Sequence, residues 1–316
     1  MGLLDGKSGV ITGGGRGIAG ATASMLAAEG AQVVVADLGA SLDGSGEEAS
    51  VAQQKADEIK ASGGEAVGVM ANVTNSADCD GMVEACIDTY GKIDFAITAA
   101  GILRDRALVN MGDDEWHDVL NVHMNGTFYV ARAAGRAMRA QRFGSLVTVS
   151  SVSHEGAFGQ TNYAGAKGGI ASMTYSMAVE LSRYGVNVNS VIPAAFTRMI
   201  ASIPGQQTVE EFDETKIPSG SSMGSAAQVA PLFTYLVSDE AKWITGQVIA
   251  LGGERLALYQ QPREKLIMTQ RGGFTPEDLV RIMPATFKGQ LEPFGTGRTE
   301  YVPIDFEGVA EAAKKS

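Results

Sequence analysis

Short apolar runs alternate with helical patterns from residue 7 to about residue 251. Residues 9–12, Gly-Val-Ile-Thr, read as a buried strand, and further strands are expected at 31–37, 66–71, 93–98, 145–150, 186–192 and 247–251. A helix follows the first strand, with Ile18, Ala21, Met25 and Leu26 on one face and Gly30 as its stop. More helices are expected near 47–62, 76–90, 114–140 and 161–184. Strand and helix in alternation, with buried strands, predict an α/β fold built on a parallel, doubly wound sheet.

Two stretches break the rhythm. Residues 196–224 carry Pro204, Gly205, Pro218 and the run Ser219-Gly-Ser-Ser222, an irregular pattern expected of a lid over a site. Residues 256–316 form a tail beyond the last strand, in which Thr275-Pro-Glu-Asp278 predicts a capped helix start. One domain over 1–255 is therefore expected, with a C-terminal extension over 256–316 that packs on the core or on a partner subunit.

Composition narrows the classes. At 316 residues, 45% hydrophobic and 19% charged, the chain can bury a sizeable core. A formal net charge of -11 argues against nucleic acid or an anionic membrane surface as partner. No apolar run approaches the length of a membrane span, and the N-terminus lacks the apolar core of a signal peptide, so a cytoplasmic location is expected. Cys79 and Cys86 read as reduced thiols, and no His/Cys/acid cluster has metal-ligand spacing.

The run from Thr12 to Ala19, Thr-Gly-Gly-Gly-Arg-Gly-Ile-Ala, lies between the first strand and first helix. That position turns backbone N–H groups and a helix N-terminus toward a pyrophosphate, and glycines permit the approach. Asp37 ends the second strand about twenty residues further on, where a carboxylate can accept from ribose hydroxyls and repels a 2′-phosphate. Asp37 favours NAD over NADP, whereas Arg16 in the loop could attract a 2′-phosphate. Tyr163 and Lys167 stand four apart in a helical stretch and share a face. A cation about 4 Å from a phenolate stabilises it by roughly 4 kcal/mol at an effective dielectric near 20. That would bring a phenol from about 10 towards about 7 and suit it to proton exchange at neutral pH.

Together, Thr12–Ala19, Asp37, Asn72-Val73, Ala99-Ala100-Gly101, Ser150-Ser151, Tyr163-x-x-x-Lys167 and the Pro193 turn resemble the short-chain dehydrogenase/reductase family over about residues 3–255. The resemblance implies a Rossmann fold, a nicotinamide cofactor and a small-molecule substrate. It implies that Gly13, Arg16, Gly17 and Ile18 hold the pyrophosphate, and Asn72 and Val73 the adenine. Ala100 and Gly101 would back the ribose, with Pro193, Phe196 and Thr197 at the nicotinamide. Tyr163 would be the acid/base, and Lys167 would lower its pKa and bind the nicotinamide ribose. A serine would hydrogen-bond the reacting carbonyl: Ser151 by alignment from the strand, Ser150 by counting back from Tyr163. Strand alternation places the two on opposite faces, so one of them reaches the site, and Ser151 is favoured, with a one-residue deletion in 153–160. His123 stands where the family has an asparagine that bends a helix and supports a water leading to the lysine. Asn121 and Asn125 are the flanking alternatives. Ala19, Thr98-Ala99 and Ala194 depart from the family pattern without removing a catalytic group.

The run Gly101–Arg106, the Val122-His123 pair and the insertion after Asp37 are similar to one branch of the family. It comprises the dehydrogenase regions of type 2 peroxisomal multifunctional enzymes, also classed as type 4 17β-hydroxysteroid dehydrogenases, and bacterial relatives from steroid breakdown. That resemblance implies NAD-dependent oxidation of a (3R)-hydroxyacyl-CoA, steroid-derived acyl groups and 17β-hydroxysteroids included. An NADPH-dependent 3-ketoacyl reductase and a non-catalytic dinucleotide sensor are the alternatives. Nothing is carried over to the tail. Arg104 and Arg106 could contact CoA phosphates or form a solvated pair, and His154 and Glu155 could flank the substrate or a surface turn. Self-association is also implied, through helices in which Ala133, Ala134, Gly165, Ala166, Gly168, Gly169 and Ala171 would permit close approach.

Overall fold

Among the residues described in this computed structural model, 2–201, 221, 223–293 and 295–296, eight strands form one sheet. They are β1 (Ser8–Thr12), β2 (Gln32–Asp37), β3 (Glu65–Met70), β4 (Phe95–Thr98), β5 (Gly144–Val149), β6 (Val186–Pro193), β7 (Val248–Gly252) and β8 (Arg255–Leu258). Their order is β3-β2-β1-β4-β5-β6-β7-β8, with the first seven parallel and β8 antiparallel to β7. The chain winds outward from β1 in one direction and then from β4 in the other. A crevice therefore opens at the carboxyl ends of β1 and β4, where the crossovers diverge.

The helices are α1 (Gly17–Ala28), α2 (Ser50–Ala61), α3 (Ser76–Tyr90), α4 (Asp113–Leu120), α5 (Gly126–Gln141), α6 (Thr161–Leu181), the single turn α7 (Arg198–Ala201), α8 (Ala226–Leu236) and α9 (Pro276–Thr286). Successive strand residues face opposite ways. Ile11, Val33, Val35 and Phe95 pack under α1, α2 and α8, whereas Val10, Val34, Ala36 and Ala96 pack under α3, α5 and α6. Both faces are covered, so the strands read as continuous apolar runs and the doubly wound sheet was predictable.

Four details differ from the sequence pattern. The buried face of α1 is Ala19, Thr22, Ala23, Leu26 and Ala27, while Ile18, Ala21 and Met25 lie at its partly exposed margin. Small side chains let this helix sit close to the sheet and to α8, a preference that hydrophobicity alone does not register. The stretch expected as one helix over 114–140 is interrupted by a π-helical turn at Asn121–Asn125. The sheet also continues beyond residue 255 into β8, so its edge strand falls within the predicted extension. Of the small residues expected at a subunit contact, Ala133, Ala134, Ala166 and Ala171 are buried in the chain's own core instead.

The tail begins as expected further on. Thr275 caps α9 in a reciprocal box with Asp278, and Pro276 occupies the first turn. No residue of α9 is buried. Contact with the core is made by the Gln261 side chain, which donates to Gly246 O, and by Gly295 and Thr296, whose N–H groups donate to Glu155 O and Gly156 O. Most of the predicted lid, 202–220 and 222, lies outside the described residues. Cys79 and Cys86 are free and buried, and burial pushes both thiols up to about 12. No helix among the described residues is long and apolar enough to cross a membrane.

Phe95 is 0% exposed at the start of β4, beneath the face that α1 and α8 cover. Phe95→Ala should cost about 3–5 kcal/mol, read as a lower urea midpoint with an unchanged slope.

Candidate active site

A cavity of about 720 Å³ occupies the crevice at the carboxyl ends of the central strands. Gly13, Arg16, Gly17, Ile18, Asp37, Asn72, Val73, Ala100, Gly101, His123, Ser151, Tyr163, Lys167, Pro193 and Thr197 all line it. Phe196 does not; it is 8% exposed, and its N–H donates to Gly224 O at 2.7 Å.

One end is shaped by the turn after β1. Gly13 has φ +66°, and a Cβ there would fall 2.9 Å from Ala100 Cα, so a side chain would force this turn away from the one after β4. Thr12 Oγ1 ties the two turns together by accepting from Ala99 N at 3.0 Å and Ala100 N at 3.2 Å. Ala19, where the family has glycine, is buried in the core with its methyl accommodated. The Asp37 carboxylate is preset at the end of β2: Oδ2 accepts from Gly15 N at 2.9 Å and Oδ1 from Gly39 N at 2.7 Å. Arg16 does not reach freely into the cavity, because its guanidinium is 3.0 Å from Glu48 Oε2. A backbone cradle, a carboxylate at the end of β2 and the intervening space fit a nicotinamide dinucleotide.

At the other end, α6 presents Tyr163 and Lys167 towards β5. The two serines divide as strand alternation requires. Ser150 Oγ is buried and donates to the Lys167 main-chain carbonyl at 2.9 Å, a structural bond. Ser151 instead lines the cavity with Tyr163, its hydroxyl donating to Ser153 Oγ at 3.2 Å. Of the two hydroxyls, that of Ser150 is committed to the main chain and that of Ser151 is not.

Lys167 is 4% exposed, and its Nζ donates to Val149 O at 2.8 Å while lying 5.4 Å from the Tyr163 ring centroid. Burial pushes this amine down to about 7. Burial likewise pushes the Tyr163 phenol up to about 12, with Ser151 pulling it down and the Asp105 charge pushing it further up. The phenol near 7 expected from spacing is thus reversed in this site. Desolvation opposes both charges, and the amine addresses a carbonyl before it addresses the phenol.

His123 is 1% exposed, turned inward by the π turn, and meets Tyr163 edge-on with ring centroids 5.0 Å apart. Its Nε2 is 2.8 Å from Ile102 O, and burial, reinforced by Lys167, holds the ring well below the ordinary imidazole range. Nε2 also lies 3.1 Å from Ile102 N, so it either donates to the carbonyl or accepts from that N–H, and Nδ1 is buried without a hydrogen-bond partner among the described residues. Gly101 makes room for the ring, since a Cβ there would lie 2.4 Å from His123 Cε1. The flanking alternatives bond to each other, Asn125 Nδ2 donating to Asn121 Oδ1 at 2.8 Å.

A family model described as enoyl-(acyl carrier protein) reductase matches residues 13–253. Peroxisomal hydratase-dehydrogenase-epimerase of Neurospora crassa is 32% identical over 314 residues, 99% of this chain but 33% of that protein. The 3-oxoacyl-[acyl-carrier-protein] reductase FabG of Escherichia coli is 34% identical over 252 residues, 79% of this chain and 97% of that one. A crystal structure of a short chain dehydrogenase from Mycobacterium avium superposes with a TM-score of 0.78 at 33% identity, covering 96% of this chain and 99% of that one.

The chain belongs to the short-chain dehydrogenase/reductase family.

As a member it is an oxidoreductase of hydroxyl and keto groups with a nicotinamide dinucleotide cofactor. The tail, to which no motif assigned a counterpart, has one in the Neurospora protein, whose similarity runs through 314 residues. In this short-chain dehydrogenase, several polar residues around the site carry no motif signal. Asn162 donates from Nδ2 to Arg104 O at 3.0 Å and to Glu115 O at 2.9 Å, and accepts from Tyr163 N, fixing the start of α6. Glu48 could have been suspected as an acid opposite Arg16 in the insertion after Asp37. Arg104, which lines the cavity, is paired with Asp114 and Asp118, and the exposed Arg106 with Glu115. His154 and Glu155 do not line the cavity; the His154 ring lies 5.6 Å from that of Tyr259.

The buried amine has a consequence for stability. A lysine whose folded pKa is depressed opposes folding fully below about 7, and the opposition fades as pH rises towards its unfolded value of 10.5. Lys167→Met should therefore stabilise the fold more at about pH 6 than at about pH 9, by a difference of about 1–3 kcal/mol. Equal gains in thermal melts at both pH values would contradict a depressed amine.

Proposed function

We propose that the chain is an NAD-dependent dehydrogenase that oxidises a bulky secondary alcohol, a (3R)-hydroxyacyl-CoA, to the 3-ketoacyl-CoA. Steroid-derived acyl groups and 17β-hydroxysteroids fall within the same reading. The observation that carries it is the convergence of Tyr163, Ser151 and Lys167 on one cavity whose far end holds Asp37. The likeness to the hydratase-dehydrogenase-epimerase, spanning the tail, supports a dehydrogenase of this kind. The chain spans 33% of that protein, and this one region is compared. Copies of the chain are proposed to associate through α5 and α6, where Phe128 and Val179 are exposed.

The bound dinucleotide supplies the hydride acceptor. Gly13, Gly17 and the start of α1 would hold its phosphates, and Asp37 its adenosine ribose. Tyr163 exchanges the proton with the substrate oxygen, and Ser151 hydrogen-bonds that oxygen as charge develops there. Lys167, charged, would favour the phenolate; Ile102 and the buried His123 ring close the wall behind it and limit water. Because burial raises the phenol, its proton must leave before oxidation, so the oxidation rate should climb with pH through the alkaline range. Tyr163→Phe should lower turnover by about a thousandfold or more and abolish that climb while leaving NAD affinity nearly unchanged. Substantial residual turnover would end the assignment.

For NAD over NADP, the support is the Asp37 carboxylate and the pairing of Arg16 with Glu48, which adds a second negative charge there. Wild-type kcat/KM should be higher with NAD, and NADP matching or exceeding it would refute this reading of Asp37. Glu48→Gln frees Arg16 and should raise the NADP:NAD efficiency ratio by about 3–10-fold, within the worth of an exposed charge pair to phosphate. The second reading is NADPH-dependent reduction of a 3-ketoacyl thioester, favoured by the protonated Tyr163 and the FabG likeness. An absorbance assay in both directions, with both cofactors and with 3-hydroxyacyl-CoAs and steroid alcohols, separates the two. No turnover at all would leave a dinucleotide sensor.

A further inference from the structure

The insertion after Asp37 has no part in the proton chemistry, yet residues 40–45 line the same cavity as the glycine turn. The insertion is pinned at its base, where Glu48 N donates to Leu38 O at 3.0 Å. Its tip is a closed turn. Ser41 N donates to Ser45 O at 2.8 Å, and Ser45 N and Oγ donate to Asp43 Oδ1 at 2.9 and 2.7 Å. That tip reaches the loop after β4. There Leu103 N donates to Leu42 O at 2.9 Å, and a Cβ on Gly44 would lie 3.2 Å from Ile102 Cδ1.

The order of the sheet gives this contact its meaning. β1 lies between β2 and β4, so a segment that leaves the end of β2 and bonds to the loop after β4 passes across the end of β1. The glycine turn starts at that end, with Gly13, Gly17 and the first residues of α1 in the cavity wall. A dinucleotide with its phosphates on that turn and its ribose at Asp37 would lie between the turn and the insertion. Ala40 and Leu42, both partly buried, add apolar side chains to the cavity lining there. A pinned base and a self-bonded tip let the segment swing as a unit, and a single main-chain bond is readily broken.

We propose that residues 39–48 form a strap over the bound dinucleotide, latched where Leu42 meets Leu103, which must unlatch for the cofactor to enter or leave. The strap acts on cofactor exchange and not on hydride or proton transfer. The proposal rests on the dinucleotide site alone, whichever of NAD and NADP that site prefers.

The Cβ position of Gly44 lies 4.0 Å from Ile102 Cβ, within the span of a disulfide. In Gly44→Cys combined with Ile102→Cys, diamide locks the strap and dithiothreitol frees it, so any strain from the substitutions is common to both states. Cys79 and Cys86 are buried away from the reagents. Deletion of residues 41–45 removes the latch, and the chain rejoins easily because Ser41 and Ser45 are already hydrogen-bonded. The deletion carries the test by itself if the disulfide does not form. Binding and release of NADH and of NADPH are followed by nicotinamide fluorescence in stopped flow, release being started with excess oxidised cofactor. The oxidised pair should exchange cofactor about tenfold or more slowly than the reduced pair. The deletion should release it about 3–10-fold faster than wild type, the worth of one main-chain hydrogen bond. Equal rates in the two redox states, or release unchanged by the deletion, would overturn the proposal. No alcohol enters the measurement. Wild-type protein that bound neither cofactor would fail the dinucleotide site itself, whereas binding with unmoved rates fails the strap alone.

Discussion

Two hydrogen bonds that cross between the end of β5 and the middle of α6 hold the site together. Lys167 reaches down to Val149 O, and Ser150 reaches up to Lys167 O. This stitch fixes the height and rotation of α6 over the sheet. Tyr163, one turn earlier on the same face, then meets Ser151, the residue after Ser150. Loosening either bond would misplace both groups at once, although neither bond touches a substrate.

The same stitch explains the electrostatics. An amine that satisfies a main-chain carbonyl in a dry wall is discouraged from charging, and a phenol in that wall is discouraged from losing its proton. Burial thus disfavours the charged form of each functional group, at a cost in stability that an apolar replacement would recover. The opposite end of the cavity is organised differently. Asp37 is bonded to two backbone N–H groups and partly solvated, and Glu48 pairs with Arg16 beside it.

What could be seen in advance was local in the chain. The glycine turn, Asp37 at a strand end and the Tyr163/Lys167 spacing each follow from geometry within a few residues, and the structure brings them to one cavity. Ser151 could be favoured over Ser150 but not fixed, because the choice depends on where β5 stops relative to α6. The acidity of Tyr163 was misjudged since the arithmetic described an exposed pair, and burial reverses the sign. Glu48 meets Arg16 from another segment, so no spacing announces it. The inner face of α1 was misread because small residues mark close approach, whereas hydrophobic scales reward large ones. The last strand was missed for want of length: Arg255–Leu258 is short and largely exposed, an edge rather than a core element.

The π turn at Asn121–Asn125 locks the register of a whole wall. A π turn amounts to one surplus residue in an α-helix, and each helical residue advances the side chains by about 100° around the axis. Excising that surplus would swing one half of the α4–α5 rod relative to the other. Either His123 would rotate away from Tyr163, or Val130, Ala134 and Met138 would rotate out from beneath the sheet. Neither half can drift without the other, so insertions and deletions here are all-or-none events in the descent of this chain.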